Sequence, residues 1–343
     1  MTALTEAPAR PEDRLGPVRA QLPGAAHPAR TTKVSIVGGA GGVGSALAHN
    51  LLVSPMDYEV VLIGRRSEAV TCQLMDFAAL EPFGHASVVR QGGVDDFSDS
   101  DVIVVAASVP FSPEKRRVDF LRDNVEILRP YFREIARLPE DWPGYLVVVT
   151  NPVDVLCTWL LDHARMNRRH ILGYSWNDSL RLRVAVADVL KIPPRQVEAW
   201  VIGEHGDISI PLFDRVFAGG RRVRLDPDQR NAVLTVVRDW YSNWTALGLA
   251  RTTVWSTAAG VSRMIQGIGQ MIYGGRPENP AGWAASVCLR GEYGMRDVSI
   301  GFPVSLEDGA PGLADIPLSG LERDVLQRAC TTVRQRTLAI GGL

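Results

Sequence analysis

Gly38-Gly39-Ala40-Gly41-Gly42-Val43-Gly44 lies between a short β-rich run, Lys33–Val37, and a helical run, Ser45–Leu52. Glycines at these spacings permit a tight turn, let backbone N–H groups approach a pyrophosphate, and allow a helix to pack closely on a strand. A lone GxGxxG is a weak pattern, and its setting is what gives it weight. Further short apolar runs follow, predicting strands at Glu59–Ile63, Ala86–Val89, Asp101–Ala106 and Tyr145–Thr150, with helices over Glu68–Ala79 and Phe120–Ala136. Short apolar strands separated by helices imply parallel pairing through βαβ crossovers. The expected fold class is α/β: a Rossmann-type doubly wound parallel sheet.

Beyond about Leu172 the pattern changes. Helices are predicted at Ser179–Leu190, Asp226–Asn243 and Val254–Ile272, with a short strand at Trp200–Ile202. Ser319 followed by Glu322 is a capping-box signature for a final helix. The domains expected are a dinucleotide-binding domain over 31–172 and an α+β substrate domain over 173–343. Residues 1–30 carry Pro8, Pro11, Pro17, Pro23 and Pro28 among Ala and Arg. They lack the apolar core of a secretory signal and predict a poorly ordered N-terminal arm.

Composition narrows the function classes. At 343 residues and 46% hydrophobic, the chain can bury a large core. A net charge of −1 gives no electrostatic footing for nucleic acid or an anionic membrane. No apolar run approaches the roughly 20 residues that span a bilayer. Cys72, Cys157, Cys288 and Cys330 are scattered without paired spacing. That argues against a zinc site or a disulfide scaffold and fits a reducing, cytoplasmic compartment.

The end of the second strand bears on which nucleotide is held. NAD sites usually place Asp or Glu there for the ribose 2′-hydroxyl. Here Ile63 is followed by Gly64-Arg65-Arg66-Ser67, with no carboxylate. Two guanidiniums and a hydroxyl suit a 2′-phosphate, so NADP(H) is favoured over NAD(H).

Two distant runs supply acid–base chemistry. Gly203-Glu204-His205-Gly206-Asp207 puts a histidine on a glycine-flanked loop, and Asn177-Asp178-Ser179-Leu180-Arg181 sets a carboxylate three residues before a guanidinium on one helical face. An imidazole oriented by a carboxylate is a general acid/base near neutral pH, and arginine can hold a substrate carboxylate bidentately. Singly, each residue has a plainer reading, as a turn histidine, a helix-capping Asp or a surface Arg. Their joint occurrence favours a site.

Read in order from about Thr32 to Thr337, these segments resemble the lactate/malate dehydrogenase superfamily. The resemblance implies that His205 is the acid/base, Asp178 the carboxylate behind it and Arg181 the substrate-carboxylate clamp. It implies that Asn151, in Thr150-Asn151-Pro152-Val153-Asp154, binds both substrate and nicotinamide ribose. The glycine loop, Gly38, Gly39, Gly41, Gly42, Val43 and Gly44, would hold the cofactor, with Gly64, Arg65, Arg66, Ser67 and Asn124. The run from Ser108 to Arg117 matches the family's substrate loop, which puts Arg117 on the carbonyl-polarising position. Phe111 falls on the specificity position, Arg in malate dehydrogenases and Gln in lactate dehydrogenases. Thr253 would stand beside the substrate side chain, and Arg251 replaces a usual glycine.

The function implied is an NADP(H)-dependent 2-hydroxy acid dehydrogenase, or 2-oxo acid reductase, not specific for oxaloacetate. It would be assembled as a homodimer or homotetramer and need no metal. An NADP-dependent malate dehydrogenase with a displaced arginine, Arg251 or Arg116, is the alternative. A non-catalytic nucleotide-binding protein is a further one. A related NAD-dependent glycosidase needs a metal, and no Cys/His ligand pair stands near Asn151.

Overall fold

The computed structural model describes residues 31–83, 87–110, 117–248, 252–273, 282–306 and 310–341, and the side chains of all of these except 117–119. The proline-rich arm, Phe111, Lys115, Arg116 and Arg251 lie outside the described residues.

Strand β1 (Thr32–Val37) is buried along its whole length, as a strand covered on both faces must be. It pairs in parallel with β2 (Tyr58–Ile63) on one side and β4 (Val102–Val105) on the other. With β3 (Val88–Gln91), β5 (Tyr145–Val148) and β6 (Ile171–Tyr174), the parallel order is β3-β2-β1-β4-β5-β6. Between them run α1 (Gly42–Leu52), α2 (Ser67–Phe77), α3 (Arg117–Ile135) and α4 (Val153–His163). Helix α1 buries Ala46, Leu47, Ala48, Leu51 and Leu52. Each fully buried Leu in such a face contributes about 1.5–3 kcal/mol of transfer free energy. The doubly wound order puts the carboxyl ends of β1, β4 and β5 around one crevice.

The sheet does not stop at the expected domain boundary. Strand β6 pairs antiparallel with β12 (Ala284–Arg290), which forms a long hairpin with β13 (Arg296–Ser305). Beyond it lie β8 (Val201–Gly203) and β9 (Ser209–Pro211), while β7 (Val197–Glu198), β10 (Phe217–Ala218) and β11 (Arg221–Arg222) form a separate small sheet. Helices α5 (Trp176–Leu190), α6 (Pro227–Ala246), α7 (Trp255–Ile272) and α8 (Gly320–Leu338) complete the described framework. A second, smaller core of Leu182, Val186, Val197, Val201, Val216 and Val233 lies beneath α5 and α6.

Two features escape a sequence pattern for physical reasons. Helix α4 is buried at every position from Val153 to Leu161, so it shows no amphipathic period. Strand β13 carries Gly301 and Pro303, which read as breakers. A Cβ on Gly301 would come 2.8 Å from the Gly203 carbonyl oxygen, so the close crossing of β13 and β8 requires glycine there. The capping box at α8 is formed as expected, with Ser319 accepting from the Glu322 N–H.

Candidate active site

The glycine loop is held by backbone geometry. Gly38 adopts φ +89°, and a Cβ there would lie 2.6 Å from the Ala107 nitrogen at the end of β4. At Gly44 a Cβ would lie 2.2 Å from the Gly38 carbonyl oxygen, a contact no side chain survives. The N–H groups of Gly38 and Gly39 both donate to the Ile63 carbonyl, at 2.8 and 3.2 Å, tying the loop to the end of β2. Gly41 is the N-cap of α1, with no side-chain cap and no acidic residue in the first turn. Gly41 and Gly42 are exposed. The first N–H groups of an 11-residue helix therefore stand ready for an anion. This cradle fits the pyrophosphate of a dinucleotide.

Gly64, Arg65, Arg66 and Ser67 follow directly from β2. Arg65 and Arg66 are exposed, and Arg66 is the N-cap residue of α2. The Ser67 hydroxyl accepts from the Gln91 amide at 3.0 Å. The two arginines thus follow directly on the strand whose last carbonyl anchors the glycine loop.

On the other side of the crevice the ends of β4 and β5 are laced together. The Asn124 side chain, 4% exposed, accepts from the Val109 N–H and donates to the Asn151 carbonyl, both at 2.8 Å. Its amide is spent on these two backbone groups, which fixes where Asn151 stands. Thr150 donates to the Ala107 carbonyl at 2.8 Å. Asn151 itself is exposed, precedes a cis peptide to Pro152, and accepts from the Val153 N–H at 3.3 Å. Arg117 is the first residue of α3.

The acid–base cluster forms where β8 turns into β9. Gly203 has φ +98°, and a Cβ on it would lie 2.7 Å from the Ile208 carbonyl oxygen. This tight loop presents His205, whose Nδ1 lies 2.6 Å from Asp178 Oδ2. The other Asp178 oxygen accepts from Arg181 at 3.3 Å. All three side chains are about four-fifths buried, at 18%, 18% and 20% exposure. An ionised carboxylate only accepts, so Nδ1 carries a proton and Nε2 is left as the working nitrogen.

The electrostatics follow from this arrangement. Burial disfavours the imidazolium, but the charge and hydrogen bond of Asp178 outweigh it and hold His205 above its ordinary value. Burial likewise opposes the Asp178 carboxylate, but His205 and Arg181 keep it below the usual range. Asp178 spends its oxygens on these two residues and makes no cap to its own helix.

Several participating residues carry no sequence signal. Asp154, in the first turn of α4 and 2% exposed, accepts the His205 backbone N–H at 2.6 Å. Burial raises its carboxyl group to about 6 despite the opposing effect of that N–H. Glu204, also buried, is held by Arg336 from α8. Arg181 Cζ lies over the ring of Trp240 on α6. These pairs meet across 51 to 132 positions of the chain, so no local spacing exposes the contacts.

Thr253 is half-buried before α7 and is joined by a chain of hydrogen bonds to the start of α5. Its hydroxyl lies 3.2 Å from that of Thr257, which accepts from Asn177 at 2.8 Å. Asn177 in turn accepts from the Tyr174 hydroxyl at 2.8 Å. The neighbouring Val254 packs beside Gly42. Asp178, Arg181 and His205 therefore gather at one place, while Thr253 is tied through Thr257 to Asn177, the residue before Asp178, and its neighbour Val254 meets the glycine loop. Among the described residues, no group of His, Cys, Asp and Glu side chains could hold a metal ion.

Comparison with known proteins agrees with this construction. Residues 32–173 match the model of the lactate/malate dehydrogenase NAD binding domain, and residues 177–337 match that of the lactate/malate dehydrogenase alpha/beta C-terminal domain. A malate dehydrogenase of Halobacterium salinarum is 31% identical over 306 residues, covering 87% of this chain and 96% of that protein. L-lactate dehydrogenase 1 of Staphylococcus aureus is 26% identical over 312 residues, 88% and 95% of the two chains. The crystal structure of Cryptosporidium parvum malate dehydrogenase superposes with a TM-score of 0.79 at 20% identity, over 91% and 99% of the two chains. A glycine cradle for a nicotinamide nucleotide, a carboxylate-backed histidine and two matching domain models lead to one conclusion: the chain belongs to the lactate/malate dehydrogenase family, oxidoreductases acting on the CH–OH group of hydroxy acids.

Proposed function

We propose that this chain is an NADP(H)-dependent 2-hydroxy acid dehydrogenase, working as a 2-oxo acid reductase on substrates other than oxaloacetate. The observation that carries the catalytic reading is the His205–Asp178–Arg181 cluster, with Nδ1 pinned at 2.6 Å and Nε2 left to work. When bound, the reduced nicotinamide supplies the hydride. The glycine loop, from Gly38 to Gly44, binds its pyrophosphate, and Arg65 with Arg66 and Ser67 takes the 2′-phosphate.

On the substrate, Arg181 grips the carboxylate and so sets which face of the keto group is presented. His205 Nε2 delivers a proton to the keto oxygen, and Asp178 stabilises the imidazolium when the reaction runs the other way. Arg117 stabilises charge growing on that oxygen, and Asn151 hydrogen-bonds its side of the substrate. Asn124 supports this by fixing Asn151. Thr253 and Phe111 flank the substrate side chain.

Malate oxidation is the second reading, favoured by the names of the relatives, and it requires Arg116 or Arg251 to meet the second carboxylate. Initial rates with NADPH and NADH, each against oxaloacetate, pyruvate, phenylpyruvate and a branched 2-oxo acid, decide between them. The expected result is a preference for NADPH with oxaloacetate among the poor substrates. Efficient oxaloacetate reduction assigns the chain to the malate reading. On the first reading, the exchange Phe111→Arg is expected to raise oxaloacetate turnover, and no gain would remove Phe111 from the pocket.

The cofactor preference has its own test. A charge-assisted hydrogen bond is worth about 1.5–3 kcal/mol. Losing the phosphate contacts in Arg65→Ala/Arg66→Ala is therefore expected to raise the KM for NADPH about 10- to 100-fold, leaving NADH unaffected. An equal effect on both cofactors would take the 2′-phosphate away from these arginines. The four cysteines are unpaired, in keeping with a reducing, cytoplasmic setting. The same family reading carries assembly as a homodimer or homotetramer.

A further inference from the structure

We infer that Trp240 is a positioning residue for substrate binding: its ring, backed by Trp244, sets the plane of the Arg181 guanidinium so that its free edge meets a carboxylate squarely. The inference rests on the reading of Arg181 as the carboxylate clamp and goes beyond it, because it assigns the clamp's orientation to a helix that holds none of the acid–base groups.

The geometry is specific. Arg181 Cζ lies 3.8 Å from the centroid of the Trp240 ring, in the range of direct guanidinium–aromatic stacking. Trp240 and Trp244 lie four residues apart on α6 and so share one helical face. Their rings stack at 5.3 Å between centroids and 15° between planes. One edge of the guanidinium is taken by Asp178 at 3.3 Å. A planar group held by one edge and covered on one face has lost most of its freedom to turn.

The consequence for binding follows from entropy. A free arginine carries many rotamers, and ordering such a side chain at the moment of association weakens affinity. Holding the guanidinium in place beforehand removes that cost and keeps two parallel N–H groups in the geometry a carboxylate needs. The electron-rich face of Trp240 also favours the cation in a site that is four-fifths closed to water. Burial tends to push the Arg181 guanidinium down, and Asp178 with Tyr174 and Tyr241 opposes that. The stacked indole adds a partner that, unlike another carboxylate, does not compete with substrate.

The test is steady-state reduction of oxaloacetate, pyruvate and phenylpyruvate by Trp240→Phe, Trp240→Leu, Arg181→Gln and the Trp240→Leu/Arg181→Gln double variant. Trp240→Leu is expected to raise KM for every 2-oxo acid about tenfold with kcat within about twofold, and to leave KM for NADPH unchanged. Trp240→Phe, which keeps an aromatic face, should recover most of that loss. In the Arg181→Gln background, Trp240→Leu should add nothing further. Equal effects of Phe and Leu, or full additivity with Arg181→Gln, would overturn the inference while leaving the clamp in place. If Arg181→Gln itself leaves KM unchanged, the clamp reading fails and the inference falls with it. A purely structural role would lower thermal stability and kcat together without separating KM from kcat.

Discussion

His205→Gln is expected to lower kcat/KM for 2-oxo acid reduction about 10³-fold, within the range of about 10²–10⁴ that positioned general acids supply. Glutamine fills similar space and keeps the backbone N–H that Asp154 accepts, so the β8–β9 turn should persist. What it removes is a proton that Nε2 can give at neutral pH. The loss should fall on kcat with little change in KM, since in the proposed function Arg181, not His205, holds the substrate carboxylate. Unfolding temperature is the control and should stay close to that of the parent enzyme. A loss smaller than tenfold would mean that water or another group protonates the substrate, and His205 would have to be read as structural.

Asp178→Asn is the second large expected effect, and it carries a sign. Asp178 holds the His205 pKa above its ordinary value, against burial, which pulls it down. Without the carboxylate, the lowering influences of burial and Arg181 are opposed only by the charge of Asp154, so the imidazolium loses its proton at lower pH. Reduction of the keto acid needs the protonated ring, so the alkaline limb of its pH–rate profile should move toward acid. Oxidation needs the neutral ring, and its acid limb should move the same way. At neutral pH the reductive kcat should fall about 10²-fold or more, because each pKa unit corresponds to about 1.36 kcal/mol and the ring also loses its orientation. Unshifted limbs in both directions would show that the observed pKa belongs to another group. Asp154, raised to about 6 and bonded to the His205 backbone, is the alternative bearer.

The two variants separate roles that the cluster combines. His205→Gln removes the proton carrier, whereas Asp178→Asn leaves the carrier and changes its proton affinity and direction. Non-additive losses in the double variant would be expected of groups acting as one unit.

Local chemistry explains how much of this was legible beforehand. The glycine loop is readable because only glycine tolerates φ +89° at Gly38 and a carbonyl 2.2 Å from a would-be Cβ at Gly44. The buried parallel strands are readable because both faces are covered, leaving runs such as Val-Val-Leu-Ile at the end of β2. The capping box at Ser319 and Glu322 needs only a fixed spacing of three residues. Asp178 and Arg181 are readable for the same reason, being neighbours on one helix face.

Other parts leave no such trace. Helix α4 is buried all round and so has no polar stripe, and β13 hides behind a proline and a glycine, the glycine required by its crossing with β8. The sheet shared by both halves of the chain depends on β6 meeting β12 across 110 residues, a pairing that backbone hydrogen bonds make without regard to side-chain identity.

By itself, the sequence determined the doubly wound sheet and the glycine loop, and it singled out His205 as the candidate acid–base group, because each depends on residue type at short, fixed spacing. Only the tertiary structure decided that Asp178 shares its two oxygens between His205 and Arg181, that Asp154 grips the histidine from below, and that Trp240 stacks on the guanidinium. Those contacts join α4, α5, α6 and the β8–β9 turn. Directional hydrogen bonds and stacking act over about 3–4 Å, a distance only the fold can impose on residues so far apart in the chain.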